Sequence, residues 1–392
     1  MIRCGGFFFS YDKETASAAA NSAGRIAVAG TKVRVRDGAD AGLGPRGTLV
    51  SLDYEGAASP VVHGFVGDEP DGGEFSMLSE TASGLEGRRD FAGSRPLYVG
   101  ESGKWVASDH RFLPGQRMEM IPPNSSVRLA GGKPNRIRIA TPSFEDDFDE
   151  AVAKLALLIR DSVKSRVAGM RRIAVSFSGG LDSSIIAHCA ASYCKVTACS
   201  VSAEGSTDSR VAKDSASVLG LEFSRAKVTE RIIAKELRGL ALPFDPSPMD
   251  KSLWCIYSIT AKLAAESGAQ IAMLGQLADE LFGGYAKYET SLRQQGDSEA
   301  EKMMSDDIAQ CGMRGFIRDE AACRKWCEPR FPFAERKLAA FAEGLPVAFK
   351  IRKGVRKAVL REAALLLGVP REIAQRPKKA AQYSSGVLKL LG

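Results

Sequence analysis

Histidine is scarce in this chain: only His63, His110 and His188 occur in 392 residues, far apart from one another. A Ser-His-Asp hydrolase or a histidine-rich metal centre therefore has no local support. No stretch approaches the length of a membrane span, so no membrane partner is expected. No secretion signal is expected either: Met1-Ile2-Arg3 leads straight into Cys4, and Phe7-Phe8-Phe9 is far too short for an apolar signal core. The eight cysteines lack the spacing of a disulfide scaffold, so a cytoplasmic location with reduced thiols is expected. There is no long Ser, Gln or Pro tract and no internal repeat. A Walker loop, G-x-x-x-x-G-K-[ST], is also absent.

What remains is an ordinary globular composition, with 44% hydrophobic and 26% charged residues, long enough for two or three domains. The net charge of +7 is concentrated. Between Lys350 and Lys379 ten lysines or arginines face only Glu362 and Glu372, a local +8 that leaves about −1 for the rest. A basic helix face, a triphosphate pocket and an RNA-binding strip all fit that concentration.

The stretch Ser178-Gly179-Gly180-Leu181-Asp182-Ser183-Ser184 organises the chain. It follows the apolar run Ile173–Phe177 and opens a helix-like segment at Ile185-Ile186-Ala187. A strand turning through glycines into a helix offers free N–H groups and a positive dipole end to an anion. Gly179 and Gly180 let the backbone approach a phosphate, Ser178 and Ser183 add hydroxyl donors, and Asp182 can hold a cation. Most glycine-serine loops are only turns. The strand-to-helix context and Asp182 favour phosphate here.

To about residue 143 the chain reads as mostly β, with strand-like runs at 25–29, 32–36, 48–52, 96–99, 105–108 and 126–129. Ser143 is the expected N-cap of a long helix whose first turns are acidic. Strands and helices then alternate: strands at 173–177, 196–201 and 270–274, helices at 209–219, 230–240 and 251–266. The alternation implies a parallel sheet covered by helices, with ligands at the carboxyl ends of its strands. From Glu289 onwards the pattern is mostly helical. Domains are expected at 1–142 and 143–392.

The run at 270–274 leads into Gly275-Gln276-Leu277-Ala278-Asp279-Glu280-Leu281-Phe282-Gly283-Gly284-Tyr285. Together, S-G-G-x-D-S and G-x-x-A-D-E-L-F-G-G-Y resemble the synthetase domain of the asparagine synthetase family, an N-type ATP pyrophosphatase. Arg356-Lys357-Ala358-Val359-Leu360-Arg361-Glu362 is similar to the family's K-x-x-L-R-E segment, and Arg376-Pro377-Lys378-Lys379-Ala380 to the R-P-K stretch after it. The expected fold class is α/β: a parallel-sheet ATP-pyrophosphatase (adenine nucleotide α-hydrolase-like) domain preceded by a smaller, mostly-β domain of the amino-terminal-nucleophile (Ntn) type. In the first domain Arg89-Asp90, Pro96-Leu97-Tyr98, Ala107-Ser108-Asp109 and Pro122-Pro123-Asn124 resemble structural pieces of the family's glutaminase domain. Its catalytic pieces are not found. Cys4-Gly5 echoes the family's Cys-Gly start, but three residues precede it, whereas an amino-terminal nucleophile must carry its own α-amino group. Cys4 reads as a buried strand cysteine, and glutamine dependence is not expected.

The resemblance implies an AMP-forming carbon–nitrogen ligase using ATP and Mg²⁺. A carboxylate is adenylated, pyrophosphate leaves, and ammonia or another amine displaces AMP. By resemblance Ser178, Gly179, Gly180, Asp182 and Ser183 cradle the pyrophosphate, with Gly275 at the second strand end. Asp182 and Asp279 are the Mg²⁺ ligands, and Lys357 contacts the reacting phosphates. Val175 and Met273 flank the adenine or belong to the core.

The family's S-G-E-G-A-D-E is here Leu274-Gly275-Gln276-Leu277-Ala278-Asp279-Glu280. Gln276 thus replaces an acid near the amine; it cannot act as a general base but can orient the amine. Leu274 loses a hydroxyl and Leu277 adds bulk. The acceptor carboxylate therefore stays open. Alternatives are amidation or cyclisation of a specialised substrate in the manner of β-lactam synthetases, adenylation chemistry on tRNA, and a non-catalytic nucleotide-binding regulator. No RNA-binding module is recognisable. A homodimer is compatible with the family. Cys311, Cys323 and Cys327 lack an evident fourth zinc ligand.

Overall fold

The computed structural model describes residues 4–10, 13–26, 32–37, 48–53, 61–66, 72–82, 84–100, 103–131, 133–137, 147–203, 208–376 and 385–391. The chain divides into two compact units, Met1–Ile139 and Ala140–Gly392.

The first unit is one largely antiparallel sheet of eleven strands among its described residues, running from Cys4–Ser10 to Asn135–Arg136. Successive side chains of a strand face opposite sides, and the first strand shows it. Phe7 packs with Leu78, Leu85, Leu97 and Val106, whereas Phe8 joins Ala19, Trp105 and Phe112. Ala19 belongs to the helix Lys13–Ile26, which is not expected from the strand-like pattern of this region. Arg25 and Ile26 close that helix, so the strand expected at 25–29 is wrong at its start, and 27–29 lie outside the described residues. The alanine-rich segment Ala16–Ala20 has high helix propensity and outweighs the short apolar run. Cys4 does lie in a strand, paired with His63 of the neighbouring strand; its side chain is outside the described set.

Arg89 and Asp90 are buried tie-points of this unit. Arg89 donates to the carbonyls of Gly93, Arg95 and Ile121, at 2.6–2.7 Å. Asp90 accepts from the backbone N–H groups of Phe75, Ala92 and Ser94 and from the Ser94 hydroxyl.

In the second unit Asp147 caps the long helix Phe148–Val167, its carboxylate accepting from the N–H groups of Asp149 and Glu150. The expected cap Ser143, with Glu145 and Asp146, lies outside the described residues. The sheet has five parallel strands in the spatial order Glu222–Val228, Lys195–Ala203, Arg172–Ser176, Ile271–Met273 and Glu328–Arg330. Its two edge strands were not read from the sequence. Glu222–Val228 carries charges at exposed or half-buried positions, and Glu328–Arg330 is three residues long with Pro329 at its centre, both habits of sheet edges.

Arg172–Ser176 sits centrally, and the chain leaves it towards opposite sides to form Lys195–Ala203 and later Ile271–Met273. This reversal of direction is the switch point at which open α/β sheets bind ligands. The two glycine-rich signatures leave the carboxyl ends of Arg172–Ser176 and Ile271–Met273, side by side.

Candidate active site

The turn after Ser176 needs glycine for a definite reason. Gly179 has φ 72°, and a Cβ there would lie 2.8 Å from the Val211 carbonyl oxygen and 2.9 Å from Ala212 Cα. The helix Leu181–Ala191 follows, with Gly180 at its N-cap and no side chain capping it. Its first N–H groups are thus left to an incoming anion. Ser178 and Ser183 lie across the turn, their hydroxyl oxygens 3.4 Å apart. Ser178, Gly180, Leu181, Asp182 and Ser183 line a cavity of about 590 Å³, the size of a small-molecule site.

The second signature forms the facing wall. Gly275, Gln276, Asp279 and Glu280 line the same cavity. Lys357, 175 residues beyond Asp182, reaches between the two acids. Its Nζ lies 2.5 Å from Asp182 Oδ1 and 2.7 Å from Asp279 Oδ1, and the side chain is only 1% exposed. Lys357 has φ 60° immediately before the helix Ala358–Leu366, a left-handed backbone that costs a non-glycine residue free energy and marks a constrained position. Gly284 makes the convergence possible, because a Cβ there would meet Asp279 Oδ1 at 1.9 Å and Lys357 Cε at 2.5 Å.

Glu280 is no solvated surface acid. Burial, with the charge of Asp279, pushes its carboxyl up to about 7, and the Tyr285 hydroxyl donates to it at 2.7 Å.

The far end of the cavity was not read from the sequence. A single π-helical turn, Cys311–Gly315, interrupts two α-helices and widens the helix where it meets the cavity. Arg314 projects from this turn onto the face of Phe244, 3.9 Å from the ring centroid, and its Nη2 donates to the Asp245 carbonyl and to Asp250 Oδ2. Arg318 bridges Asp250 and Asp319 at 3.0 and 2.7 Å. Burial raises the Asp250 carboxyl, but hydrogen bonds from Ser247 and the charge of Arg318 outweigh it and hold it below the usual range. Asp319, fully buried, is pushed up to about 6 by burial. Tyr257, Leu253, Ile256 and Met249 complete this end.

Several expected roles change. Val175 and Met273 pair in register on adjacent strands, are fully buried and do not line the cavity. Here they are core. Ser176, Phe177, Cys199, Ser200 and Val201 line it instead. Gly179 shapes the turn from behind the wall rather than on it. Leu274 and Leu277 are buried away from the cavity, so the added bulk enters the core rather than the site. Leu277 nevertheless keeps a glycine-like φ of 75°.

Gln276 does face the cavity, its Nε2 3.5 Å from Cys311 Sγ. Cys311, Cys323 and Cys327 are buried free thiols, and no metal-binding cluster occurs among the described residues. His188 Nε2 lies 3.1 Å from the Leu367 carbonyl oxygen. Of the R-P-K stretch only Arg376 is described, and it lines the cavity.

The asparagine synthase family model matches residues 154–310 and 291–390, which contain every residue placed above around the cavity. The chain belongs to the asparagine synthase family. A putative glutamine-hydrolysing asparagine synthetase of Methanocaldococcus jannaschii is 29% identical over 281 residues, covering 63% of this chain and 52% of that one. The glutamine-hydrolysing asparagine synthetase of Rattus norvegicus is 25% identical over 261 residues, covering 63% and 45%. The chain thus spans about half the length of the curated relatives it matches. Among solved structures, an NMN synthetase from Francisella tularensis aligns with a TM-score of 0.34 at 14% identity, covering 62% of this chain and 79% of that one.

Proposed function

We propose that this chain adenylates a small-molecule carboxylate with ATP, releasing pyrophosphate, and passes the acyl group from AMP to ammonia or another amine. One observation carries the reading: Asp182, Asp279 and Lys357 converge within ion-pair distance beside the Ser178–Ser183 turn.

In the first step a carboxylate oxygen attacks the α-phosphorus, and the bond to the bridging oxygen of the β-phosphate breaks. Negative charge grows on the departing pyrophosphate. The N–H groups at the start of Leu181–Ala191, the hydroxyls of Ser178 and Ser183 and the Lys357 ammonium are the donors placed to stabilise it. The two carboxylates that now share the Lys357 ammonium form a hard-oxygen pair suited to Mg²⁺. Bound there, the ion would neutralise phosphate charge. In the second step the amine nitrogen attacks the acyl carbon, the bond to AMP breaks and the nitrogen passes its proton to solvent water. Gln276 is placed to hold the amine by a hydrogen bond and has no basic group to take that proton.

Arg314 and Arg318 make the far end a site for the acceptor, with apolar Met249, Leu253 and Ile256 beside them. The first unit we read as a degenerate glutaminase-like domain of the Ntn type, its likeness to that domain supported by the buried Arg89–Asp90 tie-points. The reading places the enzyme in a reducing, cytoplasmic setting, supported by the free thiols of the described cysteines.

Incubation with ATP, Mg²⁺ and a carboxylate library should give carboxylate-dependent exchange of labelled pyrophosphate into ATP, and AMP once an amine is added. ADP and phosphate as the only products would refute the reading. Ammonium should support product formation and glutamine should not; release of glutamate from glutamine would refute the degenerate role of the first unit.

A further inference from the structure

The Gly179 carbonyl is held by two side chains, Arg376 and Ser215. Arg376 Nη1 donates to it at 2.7 Å and to Ser215 Oγ at 2.7 Å, and Ser215 Oγ donates to the same carbonyl at 3.3 Å. Arg376 arrives from 197 residues downstream, just beyond the short helix Arg371–Ala374. It is braced in turn: Arg361 Nη1 donates to the carbonyls of Ala374 and Arg376, at 2.6 and 3.0 Å.

A trans peptide is planar, with its C=O and N–H directed oppositely. Pinning the Gly179 carbonyl on the Arg376–Ser215 side therefore turns the Gly180 N–H the other way. That N–H donates to Ser178 Oγ at 3.3 Å, on the cavity side, since Ser178 and Gly180 line the cavity and Gly179 does not. Gly179 needs such a tether because glycine populates many backbone conformations at little cost. Without it the peptide can rotate and present its carbonyl oxygen, which repels an anion.

We infer that Arg376 is a positioning residue: by fixing the Gly179–Gly180 peptide it aims the Gly180 N–H at the pyrophosphate and sets the anion affinity of the turn. This rests on the proposed ATP reading and deepens it. A merely structural staple between the Ala358–Ala374 region and the sheet would behave differently, since its loss would lower overall stability without separating phosphate from nucleoside.

The test uses the full chain and three probes, inorganic pyrophosphate, ATP and adenosine, titrated by calorimetry. R376M should weaken pyrophosphate and ATP about tenfold or more, the loss expected for a charged hydrogen bond, and leave adenosine within about twofold. R376K should recover much of the loss, because an ammonium can still donate to the Gly179 carbonyl. Equal weakening of ATP and adenosine, or unchanged pyrophosphate affinity, would overturn the inference. S215A keeps the cation and should cost pyrophosphate about threefold, the effect of a neutral hydrogen bond. Because Arg376 itself lines the cavity, S215A is the variant that separates the tether from direct contact of Arg376 with the anion, and an unchanged pyrophosphate affinity in it would overturn the tether. A wild-type chain that binds neither ATP nor pyrophosphate would bring down the ATP reading and the inference together.

Discussion

The two ends of the cavity are built on different principles. At the end proposed to hold phosphate, backbone geometry is decisive: Gly179 and Gly284 remove Cβ atoms that would collide, and Lys357 lies in a left-handed conformation between two acids. At the end proposed to hold the acceptor, side chains from three segments neutralise one another, with Arg314 and Arg318 set against Asp250 and Asp319. The first arrangement tolerates few substitutions, because each atom is fixed by the main chain. The second is a charge network whose members can be exchanged while packing is kept. A family that retains one ATP chemistry while varying its acceptor would vary the second end.

The comparison breaks most sharply at the shared lysine. K357M should lower pyrophosphate exchange by about 100- to 1000-fold, the cost of losing a donor to developing charge, with a much smaller change in adenosine affinity. An unaltered exchange rate would remove Lys357 from the reaction. D279N should follow at about 100-fold and should shift the Mg²⁺ dependence of exchange to higher concentration; a lower rate with unchanged Mg²⁺ dependence would argue against its role as a ligand.

At the other end, R314M should raise the KM for the acceptor about tenfold and leave the KM for ATP unchanged. If both KM values moved together, the two ends would not be separable. Q276E should alter amide formation about tenfold in either direction while sparing pyrophosphate exchange, because Gln276 is assigned only to the amine step.

The smallest effect is on stability. Asp319 is pushed up to about 6, so between the ordinary carboxylate range and pH 6 the folded chain binds a proton that the unfolded chain has released. Stability from this group is present at low pH and declines as pH rises through about 6. D319N should flatten that part of a melting-temperature profile by on the order of 1 kcal/mol. A steeper profile would show that the pairing with Arg318 dominates.

The parallel sheet, the phosphate turn and the acid-bearing signature could be read directly, because each depends on residues adjacent in the chain. Strands such as Arg172–Ser176 are short apolar runs, and the turns after them carry glycines where φ is positive or a Cβ would collide. The edge strands are hidden because exposure at an edge permits charged residues and proline, which erases the apolar run. The helix Lys13–Ile26 is hidden because its alanines sit in a segment dominated by strand signals.

Arg314 and Arg318 gave no local signal. An arginine in a helical run looks solvent-facing until a neighbouring helix encloses it, as for Arg318, or a ring takes its guanidinium, as Phe244 does for Arg314.

The sequence by itself determined that a strand turns through Gly179 and Gly180 into a helix, that Asp279 follows a second strand, and that Lys357 precedes a helix. Those are short-range consequences of propensity, period and backbone sterics. Only the tertiary structure decided that Lys357 lies between the two acids, that Val175 and Met273 belong to the core, and that Arg376 pins the Gly179 carbonyl. The physical reason is strand order. Placing the first strand of the sheet at its centre brings segments 100 to 200 residues apart to one rim, and no local pattern records which side chains will meet there.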